Sequence, residues 1–188
     1  MRRPLRWLSL IIAFNLVSPT VVAQPKKPAK TVGEELPADA RREWTAGLQL
    51  LGDNNFPAAV VQFQRVYDMT KNPRTLPNLA LAHKGNKSYL RAIRAYERAI
   101  AEGASTIPAK DQQDIKDSIA ALKPFVTTLD ITTSVPGASV NVEGEDVGTT
   151  PLPKPIEVST GDIPVRITKE GFREQSRVVK VGVGQPTL

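Results

Sequence analysis

The sequence predicts a two-part chain, a short array of α-helical hairpins followed by a small all-β sandwich. Three observations carry this prediction. A twenty-residue pattern at 47–66 returns at 80–99, thirty-three residues later. Near residue 125 the composition shifts from Ala, Leu, Gln, Arg and Glu to Val, Thr, Ile, Gly and Pro, and there the apolar period changes from helical to two. The 188 residues suffice for two small domains, and with aromatics at 5% both cores must rest on aliphatic side chains.

Residues 1–23 have a basic start with Arg2, Arg3 and Arg6, an apolar run from Trp7 to Val17, and a close through Pro19 with Val21 and Ala23 at the positions a signal peptidase reads. This is the layout of a secretory signal peptide. The apolar run contains Asn15 and is shorter than the ~20 residues that span a bilayer, so cleavage before Gln24 is expected, with membrane contact only through this segment if it is kept. Residues 24–37 show neither helical nor strand periodicity. Their prolines and lysines predict an extended tether.

Helical spacing begins at Ala38 and runs through Arg41, Trp44, Leu48 and Leu51 to a stop at Gly52-Asp53. Asn55 then suits an N-cap, and Pro57 is tolerated in a first turn. Ala59, Phe63 and Val66 fall on one face of the following helix. In the second copy, Pro77 delays the first helix to about Leu76, Gly85-Asn86 turns, Ser88 caps, and Ala92, Tyr96 and Ala99 form the stripe. Small residues let helix axes approach, while Phe63 and Tyr96 fill the space between hairpins. Residues 108–122 predict a capping helix with Ile115, Ile119 and Leu122 on one stripe and Asp111, Gln113, Asp114, Lys116 and Asp117 on a solvated back. The helical domain is thus expected over 38–123. A unit of this period cannot bury its apolar face alone and stacks on its copy.

The pattern resembles the tetratricopeptide repeat. Gly47 and Ala80 match the small residue of that family's first helix, Phe56 and Tyr89 the aromatic near the turn, and Ala59 and Ala92 the small residue opening the second helix. Phe63 with Tyr96, and Val66 with Ala99, match its second-helix core. The resemblance implies protein binding or scaffolding on a concave face formed by first helices, which would present Arg41, Trp44, Leu48, Asn78, Leu81 and Lys84. An apolar strip edged by Arg and Lys would suit an extended peptide with an acidic end. Alternatively, Trp44 and Leu48 pack beneath the tether or the cap.

After Pro124, Leu129 with Ile131, Val140 with Val142, Ile156 with Val158, Val165 with Ile167, and Val179 with Val181 and Val183 alternate with polar residues between Gly and Pro turns. Short strands at such spacing predict a small sandwich over 126–188. Pro164 lacks a donor and implies an edge strand, and the chain's end at 184–188 implies a final strand reduced to a stub. This part resembles the PEGA domain, a β-module of exported and cell-surface proteins. The matching residues include Pro136, Gly137, Ala138, Val140, Val142, Gly144, Gly148, Thr150, Pro151, Gly161, Val165, Gly171 and Phe172.

Little in the chain suggests chemistry. There is no cysteine, so disulfides, thiolate metal sites and a lipidated N-terminal cysteine are excluded; an exported bacterial protein can do without disulfides. The formal charge of +6 falls to +3 without the N-terminal arginines, too mild to indicate nucleic acid. The single histidine, His83, falls on a core-facing helical position, so no nucleophile–base pair is expected. Glu143, Glu145 and Asp146 flank a hairpin glycine without calcium-loop spacing, Gly182-Val183-Gly184 precedes no helix, and Glu34-Glu35 reads as tether. No enzyme, metal or cofactor is therefore expected. The expected role is non-catalytic protein interaction in the periplasm or cell envelope, with an unidentified envelope protein or peptide as partner and the PEGA-like module on cell-wall or surface polymer. The rivals are a structural component whose helices act as a spacer, and an accessory subunit of an exported enzyme or signalling complex.

Overall fold

The computed structural model describes residues 31–182. The expected signal segment and residues 24–30 of the expected tether lie outside the described residues, as do 183–188. Six α-helices come first: α1 (Val32–Glu35), α2 (Ala38–Gly52), α3 (Phe56–Thr70), α4 (Leu76–Gly85), α5 (Tyr89–Gly103) and α6 (Ala109–Leu122). A 3-10 turn at Lys123–Phe125 leads directly into β1 (Val126–Leu129), β2 (Ser139–Val142), β3 (Glu145–Thr149), β4 (Ile156–Ser159), β5 (Gly161–Thr168) and β6 (Gln175–Val181). Among the described residues no helix is long and apolar enough to cross a membrane.

Local chemistry sets the helix ends. Asn55 accepts a hydrogen bond from the Ala58 N–H at 3.4 Å, with Pro57 in the first turn of α3. Before α4, the Asn72 side chain accepts from Arg74 and winds Pro73–Thr75 into a 3-10 turn, which is why this helix starts late. Two antiparallel hairpins, α2–α3 and α4–α5, stack with α6 against α5. Phe63, Val66, Leu76, Ala59, Ala80 and Ala92 are fully buried between them. The axes come close because residue 47 is glycine: a Cβ there would lie 2.8 Å from Phe63 Cε1. On the opposite side Tyr67 of α3 donates to Glu102 of α5 at 2.6 Å and accepts from Arg98 at 2.8 Å, which ties one hairpin to the next.

The end of the expected tether is not extended. Val32–Glu35 form a single helical turn in which the Glu34 carboxylate accepts from the N–H and hydroxyl of Thr31. Leu36 is 2% exposed and belongs to the helical core. Arg41 holds this turn down by donating to the carbonyls of Gly33 (2.9 Å) and Leu36 (3.0 Å). Burying Leu36 favours docking over extension by ~2 kcal/mol.

The β-half is two antiparallel layers, β1–β4 and β3-β2-β5-β6. Leu129, Val140, Val142, Val158, Ile163, Val165 and Val181 form its core. Glu143 and Gly144, with φ of 53° and 86°, make the two-residue turn between β2 and β3, a geometry that suits glycine at its second position. Pro164 corrects the sequence expectation: β5 is interior, flanked by β2 and β6. The ring is tolerated because β2 pairing stops at Val142↔Val165, and the Pro164 carbonyl takes the Glu143 N–H from the turn at 2.9 Å, so no ladder donor is needed there. Nor is the closing strand a stub, since β6 pairs with β5 from Val181↔Gly161 to Gln175↔Ile167.

Candidate functional site

The first helices of the two hairpins, α2 and α4, converge with α6 on a groove of about 380 Å³. Its apolar floor is Trp44, Pro77, Leu81, Tyr96, Ile107 and Ile115, and its polar rim is Arg74, Asn78, Asp111, Asp114 and Ser118. Tyr96 meets the rim through a hydrogen bond to Ser118, and burial raises the pKa of its phenol.

The six residues expected on the concave face separate into three groups. Trp44, Asn78 and Leu81 line the groove. Arg41 and Leu48 lie with Trp44 in a second depression beside it, because the 31–36 segment runs across this face and Val32 lines both hollows. Lys84 is exposed and lines neither. Trp44 is more core than surface: it is 7% exposed, lies edge-to-face on Phe63 at 5.2 Å, and is covered by Gly33. The basic edge expected from Arg41 and Lys84 is replaced. Arg41 is spent on α1, Arg74 is paired with Glu35, and the carboxylates of Asp111 and Asp114 stand on the α6 wall.

The other polar concentration is the junction between the halves. Ser88 makes no side-chain cap on α5. Its place is taken by Ser159 of β4, 2% exposed, whose hydroxyl accepts the Leu90 N–H at 3.1 Å. Arg91 donates to Glu145 at 3.0 Å and to the Glu143 carbonyl at 2.6 Å, Arg94 reaches Glu145 at 3.5 Å, and the Tyr89 and Phe125 rings lie 4.9 Å apart. Of the acidic trio considered for calcium, Glu145 is thus paired with two guanidinium groups, and Asp146 takes a hydrogen bond from Asn141 at 2.7 Å. Burial raises the pKa of Glu143. No group of three or more potential metal ligands occurs among the described residues.

His83 lies near this junction with its Nδ1 buried and without a hydrogen-bond partner. Burial first, and the Arg91 charge second, lower its pKa from 6.5 to about 4. The unfolded chain therefore takes up a proton at His83 at higher pH than the folded chain does. Stability from this group is complete above pH ~6.5 and drains as pH falls toward ~4. Urea unfolding at pH 7.5 and pH 5.0 should show the chain losing about 1–2 kcal/mol more than a His83→Leu variant; superimposable pH profiles would refute this.

No curated protein and no solved structure matches the chain, and no tetratricopeptide family is found for its helices. The β-half stands differently. Its two antiparallel layers and its Glu143-Gly144 hairpin are built by a segment that a family model recognises, and residues 126–187 of the chain match the PEGA domain.

Proposed function

We propose that the chain is an exported, non-catalytic cell-envelope protein that binds a partner protein or peptide through a tetratricopeptide-like helical module. Its PEGA module associates with cell-wall or surface material. The observation that carries this reading is the groove between α2, α4 and α6, an apolar floor with a polar rim in the place where stacked helical hairpins present their inner face. The envelope location is supported by the PEGA match at 126–187, because such domains occur in periplasmic or extracellular proteins, and by the signal-like residues 1–23. No catalytic residue or cofactor belongs to the proposal.

The spacer reading draws on the junction, where direct contacts between α5 and the β-half would hold the two at a set orientation. One experiment separates the two. Leu81 is 44% exposed, so Leu81→Arg should change stability by no more than about 0.5 kcal/mol. A tagged chain recovered from the envelope fraction should begin near Gln24 and cross-link a partner that the Leu81→Arg variant loses. Identical cross-linked species from both would favour the spacer.

A further inference from the structure

We infer that the groove between α2, α4 and α6 selects an extended peptide segment in which a lysine or arginine neighbours an apolar side chain; this rests on the reading of the helical half as a peptide-binding module. The groove is amphipathic in a directed way. Trp44, Leu81, Tyr96 and Ile115 give it a floor for an apolar side chain. Asp111 and Asp114, three residues apart on α6, place two carboxylates along one wall. Neither carboxylate has an ion-pair or hydrogen-bond partner among the described residues. The groove's own cation, Arg74, is already joined to Glu35, both side chains being less than a third exposed. The rim therefore presents two uncompensated negative charges beside apolar surface.

Charge complementarity names the occupant. An ammonium or guanidinium group against the α6 wall gains Coulomb energy and hydrogen bonds to both carboxylates, whereas an acidic segment meets like charge at close range. A volume of about 380 Å³ lies at the small end of ligand sites, which suits a few anchoring side chains of a peptide rather than a folded surface.

The test is fluorescence anisotropy on the full chain with two labelled probes, Gly-Leu-Lys-Leu-Lys-Leu-Gly and the same peptide with glutamate in place of lysine. The lysine probe should bind at least about tenfold more tightly at low salt, a difference of ~1.4 kcal/mol. Asp111→Asn with Asp114→Asn should bring the two affinities within about twofold, and the preference should fade with added salt. Leu81→Ser should weaken both probes. Equal binding of both probes, still weakened by Leu81→Ser, would overturn the charge selection and leave the groove as a peptide site. Tighter binding of the glutamate probe would overturn it as well. If neither probe binds, the peptide-site reading falls too, unless exchanging Lys26, Lys27 and Lys30 for glutamine restores binding. Restored binding would assign the groove to the chain's own basic segment and overturn the partner proposal.

Discussion

Replacing Phe63 by alanine is expected to cost about 3–5 kcal/mol of unfolding free energy, the range for deleting a buried aromatic ring whose surroundings relax only in part. Phe63 is fully buried, its ring is met edge-on by Trp44 at 5.2 Å, and Gly47 is a glycine against it because a Cβ would come within 2.8 Å. Two residues of α2, Trp44 and Gly47, thus converge on one side chain of α3, and the backbone of α2 cannot collapse into the vacated space without carrying Trp44 with it. Small domains hold ~5–15 kcal/mol in total, so the variant should melt at least about 15 °C lower or fail to fold. Phe63→Leu, which keeps most of the volume, should lose markedly less. A loss below about 1 kcal/mol for Phe63→Ala in urea titrations would show that this ring is not the centre of the helical core.

The second large effect has a sign that local propensity alone predicts wrongly. Gly85 ends α4, and alanine is the better helix former by up to ~1 kcal/mol. A Cβ at Gly85, however, would press far inside van der Waals contact of three Phe56 ring carbons, Cδ1, Cε1 and Cγ. Phe56 would have to swing out of the space between the hairpins, so Gly85→Ala should destabilise by about 1–3 kcal/mol. In a Phe56→Ala background the same change should become neutral or stabilising, giving a coupling of at least about 1 kcal/mol in the double-mutant cycle. Gly52, the counterpart in the first copy, has nothing within 4 Å of a built Cβ, so Gly52→Ala serves as the control and should not destabilise. Additive behaviour of the Phe56 and Gly85 changes would refute the contact.

The helical half was legible where its signals are local. Asn55, Pro57, Pro77 and the Gly85-Asn86 turn delimit α3 and α4 within a residue or two of where they stand, and the stripes of Ala59, Phe63 and Val66 and of Ala92, Tyr96 and Ala99 are buried as their spacing requires. The turn at Val32–Glu35 was hidden because four residues between prolines make no period; what stabilises it is the core beneath Leu36 and the guanidinium of Arg41. Strand β3 was hidden because Glu-Asp-Val-Gly-Thr has a single apolar side chain and owes its pairing to the hairpin turn before it. At the groove, the first-helix register found Trp44, Asn78 and Leu81. Asp111 and Asp114 read as the solvated back of α6, because which flank of a capping helix borders a cleft depends on how it settles on α5, a contact the local pattern does not encode. The Ser159 cap joins residues sixty-nine apart and leaves no trace in either segment.

That borrowed cap redraws the unit in which the protein can be handled. Cutting the chain at residue 125 would strip Leu90 of its acceptor and leave Arg91 without Glu145 and the Glu143 carbonyl, exposing on the severed β-half a face built to lie against α5. The transplantable cassette, the piece to carry into a chimera, is therefore not the family segment alone. It begins with the first turn of α5, so that the β-module travels with the helix end it completes.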